Sequence, residues 1–140
     1  SNMNLEQMAE RCPGARMLGL ARWSGWEFLI NSRGYATVGK APGSEVLGCL
    51  WELTEEHWQT LDRYEGVSGG YYERVDCRAQ AWPDGAPLGA VAYLAADDVP
   101  GVPTPRYHQT VVGGAREIGL PQDYLSKLEA WRTGPPADLK

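Results

Sequence analysis

Glycine and proline punctuate this chain so often that only short strands and short helices fit between them. The 17 glycines and 10 prolines make about a fifth of the 140 residues and fall mostly between apolar stretches. Asn4 is placed to cap a helix through about Arg11, with Gln7 as the reciprocal partner, and Cys12-Pro13-Gly14 ends it. Arg16 to Ile30 reads as two short strands broken at Ser24-Gly25, and Tyr35 to Lys40 as another. Pro42-Gly43-Ser44 reads as a tight turn into Glu45 to Leu53, which predicts a hairpin between the runs on either side of it. Thr54 then caps a helix to about Glu65, with Trp58, Leu61 and Tyr64 on one side and Glu55, Glu56 and Arg63 away from it. Gly66 stands where a helix is usually ended by a left-handed glycine.

Tyr71 to Trp82 alternates, with Val75, Cys77, Ala79 and Ala81 facing one way and Arg74, Asp76, Arg78 and Gln80 the other. Pro83-Asp84-Gly85 turns the chain into Leu88 to Ala95, a second hairpin. After a loop over Asp97 to Pro103, Thr104-Pro105 starts a helix that Gly119 and Pro121 stop. A last helix covers Gln122 to Trp131. Strands at the centre with helices over them define an α+β fold. No repeat or linker divides the chain, and 140 residues suit a single domain that hides roughly 70% of its unfolded surface.

Composition narrows the function. With 13 basic and 18 acidic residues the net charge is −5, which argues against a general electrostatic grip on nucleic acid. No apolar run approaches the ~18 residues a membrane span needs, and no charged stretch followed by an apolar one opens the chain, so neither a membrane nor a nucleic-acid partner is expected. Cys12, Cys49 and Cys77 are too scattered for a disulfide framework or a CxxC metal pair, and His57 and His108 stand far apart. The cysteines read as small apolar residues in a reducing, cytoplasmic compartment, and no metal is expected. Trp23, Trp26, Trp51, Trp58, Trp82 and Trp131 read as core and lid material, because a nucleic-acid stacking surface would need interleaved basic residues.

Neither a glycine-rich phosphate cradle nor a plausible Ser-His-Asp or Cys-His triad is legible, which leaves a carboxylate as the default worker. Glu65 stands out at the C-terminal end of its helix, where the macrodipole disfavours negative charge. Facing an apolar pocket it would have its pKa pushed up toward that of a useful acid/base; on the surface it would be an ordinary solvated glutamate. Ser1-Asn2-Met3, just before the first helix, reads either as a plain cap or as an anion site made by free backbone N–H groups.

Read together, these stretches resemble the gamma-glutamylcyclotransferase-like superfamily nearly end to end. Ser1-Asn2-Met3 matches the last part of its Tyr-Gly-Ser-Asn loop, and Leu61 to Tyr72, with Glu65-Gly66-Val67 inside it, looks like its second signature. Ala92-Tyr93-Leu94 and Pro105-Arg106-Tyr107 resemble the two pocket tyrosines, and Gly113 to Pro121 followed by Tyr124 is similar to the C-terminal region. The Tyr-Gly and the strand ahead of that loop are absent from this numbering, so the expected unit is one domain over 1–140 with its first strand missing before residue 1. The resemblance implies a small mixed β-barrel or sheet covered by helices. It implies Glu65 as catalytic acid/base, with Ser1, Asn2, Met3, Gly66, Tyr72, Tyr93 and Tyr107 around the substrate. The substrate implied is a γ-glutamyl compound whose α-amine closes onto its γ-carbonyl, giving 5-oxoproline and a free amino acid or amine, without a cofactor. Two alternatives stay open: a γ-glutamylamine as substrate, or a non-catalytic γ-glutamyl-binding module on the same scaffold.

Overall fold

The computed structural model describes residues 3–137 and 139. Its longest feature is a hairpin of β1 (Arg16–Ile30) and β2 (Ala36–Glu52), turned by Asn31. The Asn31 side chain is 1% exposed, and its Oδ1 accepts the backbone N–H groups of Arg33 and Tyr35, both at 3.1 Å. Gly34 completes the turn at φ 87, a conformation costly for other residues. The following loop wraps this tip: Gly101 N–H donates to Ile30 O at 2.9 Å, and a side chain at Gly101 would collide with the Asn31 carbonyl.

The expected break at Ser24-Gly25 and the expected hairpin around Pro42-Gly43-Ser44 are both corrected here. The register passes from Ser24 opposite Glu45 to Trp26 opposite Lys40, so one residue of β1 faces four of β2. The Pro-Gly stretch is a bulge in one continuous strand, with Gly25 at φ 85 and Gly43 at φ 84 absorbing the distortion. Because β1 supplies partners on both sides of the bulge, the chain resumes its direction instead of folding back. Local turn chemistry was read correctly as a disruption and wrongly as a reversal.

The second hairpin, β3 (Tyr72–Ala81) with β4 (Pro87–Ala95), forms as the alternation predicts, in register from Tyr72–Ala95 to Gln80–Pro87. It joins the first hairpin through two pairings, Ala21–Ala81 and Arg22–Gln80. All pairings are antiparallel and the strand order is β2-β1-β3-β4, so the fold is α+β with an open sheet. At one end the outer strands converge, where Ala95 N–H donates to the buried Thr37 Oγ1 at 3.0 Å.

Helices cover this sheet. In α1 (Leu5–Arg11), Asn4 Oδ1 accepts the Gln7 N–H at 2.9 Å, but the reciprocal bond fails: Gln7 Oε1 is buried without a partner among the described residues. In α2 (Glu55–Glu65) a full capping box forms with His57 in the place usually taken by Glu. His57 Nδ1 accepts the Thr54 N–H, which leaves Nε2 to donate to Pro13 O at 2.7 Å and ties the helix to the end of α1. The buried stripe of α2 is His57 and Leu61; Tyr64, expected beside Leu61, is 61% exposed and covered by Arg11, 4.2 Å above its ring. α3 (Pro105–Glu117) starts at the Thr104 cap and α4 (Gln122–Glu129) follows the Gly119-Pro121 stop.

Three apolar clusters hold the layers together. One joins Val112, Ala115, Leu125 and Leu128 of α3 and α4 to Leu47. A second joins Met8, Cys12 and Leu61 to Trp51 of β2 and Tyr93 of β4. The third packs Leu29 and Ile30 on Trp131. Trp131 is core at 3% exposure, Trp23 and Trp26 stack at 4.5 Å, and Cys12 is buried while Cys49 and Cys77 are half-buried. Gly114 lets α1 approach α3, since a Cβ there would lie 2.8 Å from Asn4 N. Replacing Asn31 by Ala leaves two turn N–H groups without their acceptor; the expected cost is about 1–3 kcal/mol, measured by urea denaturation.

Candidate active site

Between the outer strands the sheet leaves an open cavity of about 1000 Å³. The structure brings Met3, Glu65, Gly66, Tyr72, Tyr93 and Tyr107 into its wall, together with Arg11, Arg33 and Tyr71. Ser1 and Asn2 lie outside the described residues.

Glu65 is the last residue of α2, and Gly66 ends the helix in left-handed backbone at φ 70. A glycine is required there for a second reason: a Cβ would stand 2.8 Å from the Tyr71 ring. The Glu65 carboxylate is half-buried and has no hydrogen-bond partner among the described residues. Burial pushes its pKa up, and the positive charge of Arg11 offsets part of that rise. Its charge is also felt by Tyr72 and Tyr93, whose phenols are pushed well above their ordinary range, first by burial.

The tyrosine hydroxyls are engaged with the protein. Tyr72 Oη donates to Ala36 O at 2.8 Å and Tyr107 Oη accepts the Ala36 N–H at 3.1 Å, so both grip the first residue of β2. Tyr93 Oη donates to Asp62 Oδ1 at 2.6 Å. Asp62 is in turn held by Arg74, whose Nε donates to Oδ1 at 3.0 Å while an Nη donates to Oδ2; the guanidinium lies 4.8 Å over the Trp58 ring. The hydrogen bond from Arg74 pulls the Asp62 pKa down. What the tyrosines offer the cavity is chiefly ring surface in fixed positions.

Sequence reasoning missed Asp62, Arg74, Arg11 and Arg33. Asp62 stands three residues before Glu65 on the same helix, a spacing that places the two on neighbouring positions of one surface and could have flagged it. Arg74 was read only as one of the row facing away from Val75, and nothing local shows that its side chain reaches Asp62 of α2. Among the described residues no group of three or more His, Cys, Asp or Glu is placed to hold a metal ion, and no helix is long and apolar enough to cross a membrane.

Comparison with known proteins accords with this geometry. Residues 45–128 match the AIG2-like family. Human gamma-glutamylcyclotransferase is 31% identical over 93% of this chain and 74% of its own length, and the mouse protein of that name 33% identical over 78% and 53%. A solved gamma-glutamyl cyclotransferase superposes with a TM-score of 0.84 at 28% identity, covering 99% of this chain and 86% of its own. The chain belongs to the AIG2-like family, within the gamma-glutamylcyclotransferase-like superfamily.

The raised pKa of Glu65 has a stability consequence. The folded state holds that proton more tightly than the unfolded chain, so stability declines as pH rises from the unfolded value of about 4.3 through the folded one. Glu65→Gln is therefore expected to melt above the parent at pH 7, with the gap closing as pH falls toward about 4, as followed by thermal denaturation across pH.

Proposed function

We propose that this chain is a gamma-glutamylcyclotransferase in which Glu65 carries the proton between attacking and leaving nitrogens. The observation that carries the reading is a half-buried carboxyl with raised pKa, unpartnered among the described residues, in the wall of a cavity that also holds Gly66, Tyr72, Tyr93 and Tyr107. Family membership and relatives named gamma-glutamylcyclotransferase support it.

The attack is intramolecular, so the cavity's first task is to fold the substrate until its α-nitrogen meets its γ-carbonyl. Once the α-ammonium has lost one proton to solvent, the nitrogen bonds to the γ-carbon. Glu65 takes a second proton from that nitrogen and delivers it to the leaving nitrogen as the old carbon–nitrogen bond breaks. The freed amine gains its last proton from solvent, and 5-oxoproline remains. A carboxyl whose pKa is raised by burial serves both halves, being a stronger base than an exposed glutamate and still a competent acid. Tyr72, Tyr93 and Tyr107 shape the wall, and Gly66 lets the chain turn away beside Glu65.

The test is release of 5-oxoproline from γ-glutamyl-alanine and glutathione. Glu65→Gln is expected to lower kcat by about 10²–10⁴-fold while calorimetric substrate binding persists. The acidic limb of kcat/KM is expected above the pH where an ordinary glutamate ionises, because the base form is what accepts the proton. Full turnover in Glu65→Gln would overturn the assignment.

A further inference from the structure

A γ-glutamyl substrate carries one carboxylate on the glutamyl part, and a second when the group that leaves is an amino acid rather than a simple amine. A cation in the cavity, beyond the reacting carbonyl, would tell the two apart. We infer that Arg33 is that cation, the residue that binds the carboxylate of the leaving group. This inference rests on the proposed cyclotransferase reading.

Arg33 sits at the tip of the β1–β2 hairpin and lines the same cavity as Glu65. Its backbone is fixed, with the N–H donated to the buried Asn31 side chain. The next residue, Gly34, is hemmed in, since a Cβ there would lie 3.1 Å from Val102 O. The guanidinium lies 4.1 Å from the centre of the Tyr71 ring and 5.3 Å from that of Tyr35. A guanidinium held against aromatic rings can still form the paired bonds a carboxylate accepts.

The placement suits a group several bonds from the reaction centre. Tyr71 packs directly on Gly66, the neighbour of Glu65, so one ring separates Arg33 from the residue beside the acid/base. Tyr72 feels the charges of both Glu65 and Arg33, and Glu65 feels that of Arg11. Among the described residues Arg33 makes no ion pair. The carboxylate that senses it, Asp97, is engaged elsewhere, accepting from Ser32 Oγ and from the Val99 N–H at 3.0 Å.

The experiment compares γ-glutamyl-alanine with γ-glutamyl-ethylamide, which is the same molecule without the second carboxylate. The parent chain is expected to favour γ-glutamyl-alanine by about tenfold to a hundredfold in kcat/KM, expressed mainly in KM. Arg33→Gln should remove that preference by weakening γ-glutamyl-alanine alone, and Arg33→Lys should keep part of it. Arg11→Gln, which changes the charge beside Glu65, should affect both compounds alike. Binding of the two compounds to the Glu65→Gln variant, with and without Arg33→Gln, is measured by calorimetry. If neither compound turns over but the Arg33-dependent binding preference holds, the cyclotransferase reading fails and the role of Arg33 stands. If both turn over equally well, or Arg33→Gln weakens both equally, the role of Arg33 is overturned while the reaction stands. No preference in either assay, or no binding of either compound, also overturns it.

Discussion

Two backbone pairings, Ala21 with Ala81 and Arg22 with Gln80, are the seam on which the arrangement of the sheet depends. Each hairpin is internally well paired, yet among the described residues the ladder between them is only this short junction. It is reinforced where Trp82 N–H donates to Leu20 O at 2.9 Å and the Arg22 guanidinium lies over the Trp82 ring. A short seam lets the outer strands splay, and the cavity is the space so opened. The splay is limited in two places. Thr37 accepts the Ala95 N–H across the gap, and the cluster of Met8, Cys12 and Leu61 reaches both Trp51 and Tyr93. Burial of that cluster, at roughly 25 cal/mol per Å² of apolar surface, seats α1 and α2 over the opening. The C-terminal end of α2 is thereby brought to the cavity wall.

That helix end carries two carboxyl groups whose surroundings drive them apart. Asp62 receives a double hydrogen bond from Arg74 and another from Tyr93, and stays ionised to lower pH than an isolated aspartate. Glu65 is desolvated without comparable compensation and holds its proton to higher pH. The charge of Asp62 is thereby tied into the structure, while Glu65 keeps a carboxyl of raised pKa in the cavity wall. Tyr93 links them, since its ring faces the cavity while its hydroxyl is fixed by the structural carboxylate.

Much of this was legible in the sequence because it is local. The Thr54 and Thr104 caps, the left-handed Gly66, the alternation over Tyr72–Ala81 and the second hairpin all follow from residues within a few positions of one another. Glu65 could be singled out because a glutamate at a helix C-terminus is electrostatically out of place. Failures arose where a distant partner decided the outcome. Pro42-Gly43-Ser44 has the chemistry of a turn, and β1, whose Gly25 lies 18 residues before Gly43, makes it a bulge. His57 in the role of Glu in the capping box gains its purpose from the carbonyl of Pro13. Arg74 reaches Asp62 across twelve residues, and Tyr64, on the expected apolar side, faces solvent because α1 ends at Arg11 and offers it a cation instead of a core.

The threading of the 97–103 segment around the hairpin tip bears on how such a site could diversify. Loops between a strand and a helix are ordinarily where a fold accepts insertions and new side chains. Here Pro100 bridges Asn31, and no side chain fits at Gly101 without displacing the Asn31 backbone. The segment is thus a brace for the tip, with no room for a side chain at Gly101. Variation of the pocket is steered away from this loop and toward single-residue exchange at the tip, at the position of Arg33 and its two aromatic supports.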